Sequence, residues 1–232
     1  MRDLSVVLPV YNEKDAIERV LLEWEKELGK YLSDYVFIVC EDGSTDGTKE
    51  LLEQLKRRIP ILINQKEKRR GYGGAVLDGI NEADSKYILC IDSDGQCDPG
   101  DFKRFWNAKD NKQVLIGWRK NRADTRQRKM FSSMFKYVFD LFFPSKLHDP
   151  SAPFVLFKKQ DIVPNERYLK YLKEGFWWGF VGMCIKRGLS VYEISINHRR
   201  RFIGNTQVYK ATKVPSIALR NLIGLIRLRF AG

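Results

Sequence analysis

The chain has 232 residues, of which 44% are hydrophobic and 12% aromatic, so it can bury one well-packed core and is unlike a disordered segment. Lys and Arg total 41 against 29 Asp and Glu, and the resulting charge of +12 favours an anionic partner: a nucleic acid, a lipid surface or a phosphorylated ligand. No run of about 18 apolar residues occurs and the first residues lack a signal-peptide core, so we expect no membrane-spanning helix and an intracellular setting.

Continuous apolar stretches alternate with helical patterns through the first ninety residues. The predicted strands cover residues 4–10, 35–40, 61–63 and 87–91. Asn12 is expected to cap the first helix, Leu51 to Leu55 mark the second, and the glycine-rich segment at 71–80 ends in the third. Strands that are apolar throughout are typical of a mainly parallel sheet covered by helices on both faces.

The second half is basic and aromatic. Six basic residues lie between Arg119 and Lys129, and an aromatic-rich helical pattern follows at Phe131–Phe143. That pattern favours core packing, with a membrane-facing role as the alternative. A further strand is predicted near 191–196. The C-terminal stretch Ser216 to Phe230 predicts an amphipathic helix with the apolar positions Leu219, Leu222, Ile223, Ile226 and Phe230.

Two carboxylates, Asp92 and Asp94, directly follow the strand at 87–91. Side chains at i and i+2 of an extended segment share a face, so these two acids repel each other unless a cation compensates. A simple Asp- and Gly-containing turn is the alternative. The polar loops that follow the first two strands are expected at the same edge of the sheet, which favours a ligand site. Hard cations such as Mg²⁺ or Mn²⁺ suit this oxygen-rich pair, to which Gln96 would add a carbonyl oxygen.

Several other chemistries find no support in the sequence. There is no GxxxxGK[ST] phosphate-binding loop, and "GYGGAVLDG" does not match the dinucleotide pattern G-x-G-x-x-G. Only two histidines occur, His148 and His198, and the four cysteines form no CxxC pair, so a zinc cluster is not expected. No GxSxG motif is present.

The ordered motifs "VVLPVYNE", "EDGSTDGT", "GYGGAVLDGI" and "IDSDGQ" resemble those of the family 2 glycosyltransferases, which have the GT-A fold, a Rossmann-like mainly parallel sheet. The segments "GWR", "RKMFSS", "DPSAPFVLFKK" and "RRFIGNT" are similar to the polyprenyl-phosphate branch, the dolichol-phosphate mannose synthase type. The resemblance implies a metal-dependent inverting enzyme that moves a sugar from GDP-mannose or a UDP-sugar to dolichyl or undecaprenyl phosphate.

The resemblance also implies roles for individual residues. The donor nucleotide sugar would contact Pro9, Tyr11, Glu13, Glu41, Asp42, Gly73, Asp92 and Ser93. The metal, Mg²⁺ or Mn²⁺, would be held by Asp92, Asp94 and Gln96. Asp94, Arg119 and Arg128 would serve catalysis. Arg119 and Arg128 would contact the acceptor phosphate, and Arg201 and Thr206 would close over the phosphates.

Two expectations concern organisation and location. Residues 1–212 are expected to form the catalytic domain, and residues 213–232 a basic amphipathic helix lying on an anionic membrane surface. The enzyme would then be cytoplasmic and peripherally bound to the membrane.

The motifs also depart from the family pattern. "DPSAPFVLF" replaces the usual Thr-Ser-Gly-Phe-Arg, and Gly179 stands roughly where a glutamate often occurs, which leaves a family 2 enzyme with a hydroxyl acceptor as an alternative. A basic nucleic-acid-binding module is a third reading, but Asp92 and Asp94 would repel a phosphate backbone, so no nucleic acid is expected.

Overall fold

The computed structural model describes residues 2–120, 126–172, 174–202 and 214–231, without the side chains of 126–129 and 214–215. In this part of the chain the strands are β1 (Arg2–Val10), β2 (Tyr35–Glu41), β3 (Ile61–Gln65), β4 (Ser85–Cys90), β5 (Val114–Trp118), β6 (Val155–Lys158) and β7 (Val191–Ser195). The helices are α1 (Lys14–Leu28), α2 (Thr48–Leu55), α3 (Tyr72–Glu82), α4 (Phe102–Ala108), α5 (Arg126–Phe142), α6 (Lys159–Ile162), α7 (Phe176–Lys186) and α8 (Val214–Phe230). Pro99–Asp101 and Val163–Tyr171 form 3₁₀-helices.

The strands form one sheet in the order β3-β2-β1-β4-β6-β5-β7. All neighbours are parallel except β6, which runs antiparallel to both β4 and β5. The predicted strands are confirmed with small changes of boundary, whereas β5 and β6 were not predicted as strands. Because β1, β2 and β4 are parallel, the loops that follow them meet at one edge, as expected.

Helices cover both faces of the sheet. Helices α1, α2 and α4 pack on one face, where Trp24 and Phe102 are fully buried. Helices α3, α5, α7 and α8 pack on the other face, with Phe139 and Phe180 in its core. The predicted mainly parallel α/β architecture is therefore confirmed. All four cysteines are buried and none forms a disulfide.

The predicted cap at Asn12 is wrong. Helix α1 begins at Lys14 after Glu13, whose side chain makes no capping hydrogen bond, while Asp46 Oδ2 accepts from the Lys14 amide at 3.2 Å. Asn12 instead has a left-handed backbone (φ 53°), and its side-chain oxygen accepts a hydrogen bond from the Thr45 amide at 2.9 Å. The loop after β2 thus competes successfully for the polar group that would otherwise satisfy the start of the helix.

Helix α8 turns one face toward the core and the other outward. Leu225 and Leu228 are buried in the core shared with α5 and α7, and Ile217 is also buried. The outward positions are the apolar ones predicted for a membrane face: Leu219 (58% exposed), Ile223 (40%), Ile226 (40%) and Phe230 (78%), with Leu222 half-buried. The domain boundary predicted after residue 212 lies outside the described residues.

Helix α5, like α8, has one face toward the core and one face exposed. Phe139 is buried and Phe135 packs against the core, as the core-packing prediction requires. Phe131 and Met134 are exposed, together with Tyr137 (70% exposed). No helix in the described part of the chain is long and apolar enough to cross a membrane.

Candidate active site

The loops after β1 and β2 are joined by hydrogen bonds. The Asn12 amide donates to Ser44 Oγ at 2.9 Å, and the Glu13 amide donates to Thr48 Oγ1 at 3.1 Å. These bonds explain why the polar residues of "YNE" and "EDGSTDGT" occur together: each loop satisfies the backbone of the other. The result is a fixed polar rim at the carboxyl ends of the two strands.

Glu41 and Asp42, both predicted to contact the nucleotide, are buried at the end of β2. Glu41 Oε1 accepts from the Ser44 amide, while Glu41 Oε2 has no hydrogen-bond partner and lies 3.8 Å from Lys49 Nζ. The Asp42 carboxylate accepts from the amides of Arg70 (2.6 Å) and Gly71 (2.8 Å). Asp42 therefore fixes the glycine-rich loop, and Glu41 Oε2 is a buried carboxylate oxygen at the end of β2 that lacks a hydrogen-bond donor.

Tyr11 and Gly73, which are also predicted to contact the nucleotide, follow β1 and begin α3. Arg69 stacks its guanidinium 3.7 Å from the centre of the Tyr11 ring, covering one face of it. Gly73 is buried in the first turn of α3, whose N-terminus follows the loop fixed by Asp42. A helix N-terminus attracts anionic groups such as phosphates.

Asp92 and Ser93 begin the loop after β4. The Ser93 hydroxyl donates to the Pro9 carbonyl at 2.8 Å, which anchors this loop to β1. The Tyr72 hydroxyl donates to Asp92 Oδ1 at 2.7 Å and accepts from Trp177 Nε1, also at 2.7 Å. Desolvation, followed by repulsion from Asp94, raises the pKa of Asp92 to about 7.

The segment 197–202 lies directly over the Asp94 loop. The amide of Phe202 donates to the Asp94 carbonyl at 3.3 Å, and the amide of Arg199 donates to the Gln96 carbonyl at 3.0 Å. Gln96 Nε2 donates to the Arg199 carbonyl at 3.2 Å. Gly95 has φ 79°, and a Cβ there would lie 2.4 Å from the Phe202 ring, so glycine is required in "SDGQ" for both conformation and space.

Arg201 links the predicted donor and metal residues. It pairs with Glu13, and its Nη1 lies 3.8 Å from Asp94 Oδ2. Desolvation raises the pKa of Glu13 to about 7, although the positive charge of Arg201 opposes this shift. Thr206, which was predicted to act with Arg201, lies outside the described residues.

Arg119 is held in one orientation at the end of β5. Its Nε and Nη2 bind Asp149 at 2.7 and 2.9 Å, and Nη2 also lies 2.9 Å from Ser151 Oγ. Glu193 accepts from the amide of Asp149, so the carboxylate that orients Arg119 is itself fixed. Because β6 is antiparallel to both β4 and β5, these two strands run in the same direction, and Arg119 and Asp92 follow them at the same edge of the sheet. The charge of Arg119 lowers the pKa of Asp92. Arg128 belongs to α5, but its side chain lies outside the described part.

Asp92 and Asp94 suit a divalent cation. The two carboxylates lie one residue apart in the same loop. Desolvation and then the charge of Asp94 raise the pKa of Asp92, while Arg119 and Arg201 oppose this shift. Within the described ranges no three His, Cys, Asp or Glu side chains come together as a metal group. Mg²⁺ is commonly held by one or two carboxylates plus substrate phosphates, which fits this donor set.

The family assignment comes from a family model that matches most of the chain. Residues 5–163 match the model of the glycosyl transferase family 2. The chain belongs to this family. The matched region contains the loops that follow β1, β2 and β4, with Glu13, Glu41, Asp92 and Asp94, whereas the segment 197–202 lies beyond it.

Characterised relatives in the same family act on polyprenyl phosphates, according to their names. The undecaprenyl-phosphate 4-deoxy-4-formamido-L-arabinose transferase of Proteus mirabilis is 31% identical over 139 residues, which cover 56% of this chain and 41% of that protein. The dodecaprenyl-phosphate galacturonate synthase of Rhizobium johnstonii is 30% identical over 152 residues, 63% of this chain and 45% of that protein. The matched region thus spans less than half the length of either relative.

Solved structures confirm the GT-A fold. The glucosyl-3-phosphoglycerate synthase of Mycobacterium tuberculosis, crystallised with Mn²⁺ and UDP-glucose, superposes with a TM-score of 0.71 over 98% of this chain and 79% of that chain, at 17% identity. The same enzyme bound to UDP gives a TM-score of 0.70 at 19% identity, over 98% of this chain and 80% of that chain.

Sequence analysis missed three residues that the fold brings to the site. Tyr72 and Trp177 are separated by 105 positions, and no local pattern connects either of them with Asp92. Asp149 was noticed only within "DPSAPF", yet it sets the orientation of Arg119. A tyrosine at the start of a glycine-rich helix was the one available signal for Tyr72.

Proposed function

We propose that this chain is the catalytic domain of a metal-dependent, inverting glycosyltransferase. The donor is a nucleoside-diphosphate sugar, GDP-mannose or a UDP-sugar, and the acceptor is a polyprenyl phosphate, dolichyl or undecaprenyl phosphate. The observation that carries the proposal is the placement of Asp92 and Asp94 beside Arg119 and Arg201 at one sheet edge. The names of the curated relatives support a polyprenyl phosphate as the acceptor.

The donor fits the rim formed by the first three loops. Tyr11 offers an aromatic face for the base, the buried and unsatisfied Oε2 of Glu41 an acceptor, and the first turn of α3 with Gly73 a place for phosphate. Asp92 and Asp94, with Gln96, hold Mg²⁺ or Mn²⁺, which when bound stabilises the negative charge of the departing diphosphate. Arg201 is positioned by Glu13 to contact the same phosphates.

The acceptor is a phosphate, which is ionised at neutral pH and needs no general base. Arg119, fixed by Asp149, presents a pre-oriented guanidinium for it, and guanidinium groups bind phosphate oxygens well. Arg128 is proposed to complete this contact, and Thr206 to act with Arg201 at the phosphates. The absence of a glutamate at position 179 agrees with such an acceptor, because an ionised phosphate needs no base there. A Cβ at Gly179 would lie 3.0 Å from Leu172. An acid at that position would meet the side chain of Leu172.

Attack by the acceptor phosphate from the face opposite the diphosphate inverts the anomeric carbon. This single displacement needs no enzyme nucleophile, and the residues of the site then act by binding, orientation and charge stabilisation. An anomer of the product identical to that of the donor would contradict the mechanism.

A membrane-facing surface is the second part of the proposal. We define the α5/α8 surface by its exposed apolar side chains: Met130, Phe131, Met134, Tyr137, Leu141, Leu219, Ile223, Ile226 and Phe230. The two helices pack against each other, so these side chains form neighbouring stripes. Exposed apolar stripes of this extent suit the interface of a bilayer, where buried apolar area and attraction to anionic lipids act together.

Basic residues accompany this surface. Arg227 and Arg229 lie exposed in the last turn of α8, while Arg220 pairs with Glu174. Each basic residue close to an anionic surface contributes roughly 1 kcal/mol of binding free energy. We therefore place the enzyme at the cytoplasmic face of the membrane, peripherally bound, where the lipid tail of its acceptor remains in the bilayer.

The test is sugar transfer with purified protein, Mn²⁺ and a short polyprenyl phosphate, assayed over GDP- and UDP-sugars. One donor should yield a chelator-sensitive glycosyl phosphopolyprenol. Transfer only to a glycan or another hydroxyl acceptor would instead support the alternative family 2 reading. Retention on DNA with no transfer to any acceptor would overturn the enzymatic proposal.

A further inference from the structure

We infer that Tyr72 and Trp177 are positioning residues that orient Asp92 for the divalent cation. The inference rests on the proposed function, because it concerns how that metal site is built. Neither residue belongs to the predicted ligand set, and they reach Asp92 from two different helices, α3 and α7.

The three side chains form a chain of two hydrogen bonds. Trp177 Nε1 lies 2.7 Å from the Tyr72 hydroxyl, which lies 2.7 Å from Asp92 Oδ1. The directions of both bonds follow from the chemistry of the groups. An indole N–H can only donate, so the tyrosine oxygen accepts from it, and an ionised carboxylate can only accept, so the tyrosine proton points to Asp92.

This arrangement restricts the carboxylate of Asp92. With Oδ1 held by a donor on one side, the plane of the carboxylate is fixed and Oδ2 is presented in one direction. An aspartate after a strand would otherwise sample several side-chain rotamers, and the binding of a cation would have to select one of them. Partners that orient a ligand in this way are known to matter for metal affinity.

The support beneath Tyr72 is rigid. The indole of Trp177 is 5% exposed and packs edge-on against Phe176 and Phe180 within α7. Trp178, the next residue, faces a different neighbour: its ring packs 5.0 Å from Phe135 of α5. The two adjacent tryptophans thus have the same chemistry and different partners, which provides a matched control.

The experiment measures Mn²⁺ binding by EPR titration in the presence of UDP or GDP, on the full chain. Tyr72→Phe removes the hydroxyl and keeps the ring, and it should raise the Kd for Mn²⁺ roughly tenfold or more. Trp177→Phe should shift the Kd in the same direction by a smaller factor. Trp178→Phe should leave it unchanged. Activity of Tyr72→Phe should be recovered at high Mn²⁺, which a general packing defect would not allow.

The outcomes separate this inference from the proposed function. If the wild-type protein binds no Mn²⁺, the proposed metal-dependent function is contradicted. Wild type that binds Mn²⁺ while Tyr72→Phe binds it equally well would overturn only the positioning role. Equal loss in Trp177→Phe and Trp178→Phe would show a packing effect and would also overturn it. If Tyr72→Phe does not fold, the comparison of the two tryptophan variants decides.

Discussion

The α5/α8 surface can be tested without disturbing the core. Removing α8 would expose the buried Leu225 and Leu228 and open the protein, so point substitutions are the sharper perturbation. We choose Leu219→Ser together with Phe230→Ser, since these side chains are 58% and 78% exposed. Their replacement should change the free energy of unfolding little, because exposed positions contribute little to folding.

The expected loss of membrane affinity follows from the exposed fractions. Full burial of such a side chain is worth about 1.5–3 kcal/mol, so the two together contribute about 2–4 kcal/mol if the bilayer covers what is now exposed. At tenfold per 1.4 kcal/mol, the partition coefficient should fall between about 30-fold and several hundred-fold.

Sedimentation with vesicles containing anionic lipid measures this coefficient directly. Tyr192→Ser is the matched control, since Tyr192 is 53% exposed on β7, outside the α5/α8 surface. The control should bind vesicles like the wild type. Unchanged sedimentation of the double variant, or an equal loss in the control, would refute the assignment of this surface.

Three further predictions concern the site. Asp94→Asn should lower donor turnover at least about a hundredfold by removing a metal ligand, measured by release of the nucleoside diphosphate; near-normal turnover would contradict this. Arg119→Gln should lower kcat/KM for the acceptor roughly ten- to a hundredfold while leaving donor binding by calorimetry unchanged, and equal loss of both would indicate a structural role. The Tm of the metal-free protein should fall as pH rises from about 4 to 7. In the folded protein the pKa values of Asp92 and Glu13 are both about 7, whereas their ordinary values are 3.8 and 4.5. The unfolded chain therefore loses these protons at lower pH than the folded protein, which favours unfolding as pH rises. Asp92→Asn should flatten that fall, and an unchanged slope would refute it.

The parts of the fold that could be predicted from the sequence are those determined by residues close together in the chain. Strands β1, β2 and β4 are apolar on both faces because the sheet is covered on both sides, and a parallel sheet brings their following loops to one edge. Asp92 and Asp94 could therefore be assigned to a site beforehand. The exposed apolar positions of α8 were visible from helical spacing alone.

The parts that could not be predicted depend on long-range pairing. Strand β6 reads as one apolar stretch like the others, and its antiparallel direction is decided by how the chain returns between β4 and β5. Asn12 is a residue type that often caps helices, but its side chain instead accepts a hydrogen bond from the amide of Thr45, 33 residues later. The contact of Trp177 with Tyr72 likewise forms only when α7 packs on the sheet.

The most direct test of the central claim compares two acceptors that differ in one group. Purified protein with Mn²⁺ and its preferred nucleotide sugar is offered a short polyprenyl phosphate or the polyprenol of the same chain length, and products are identified by mass spectrometry. The proposed site predicts transfer to the phosphate alone, with an inverted anomeric carbon and dependence on Arg119. Transfer to the alcohol as efficient as to the phosphate would contradict it.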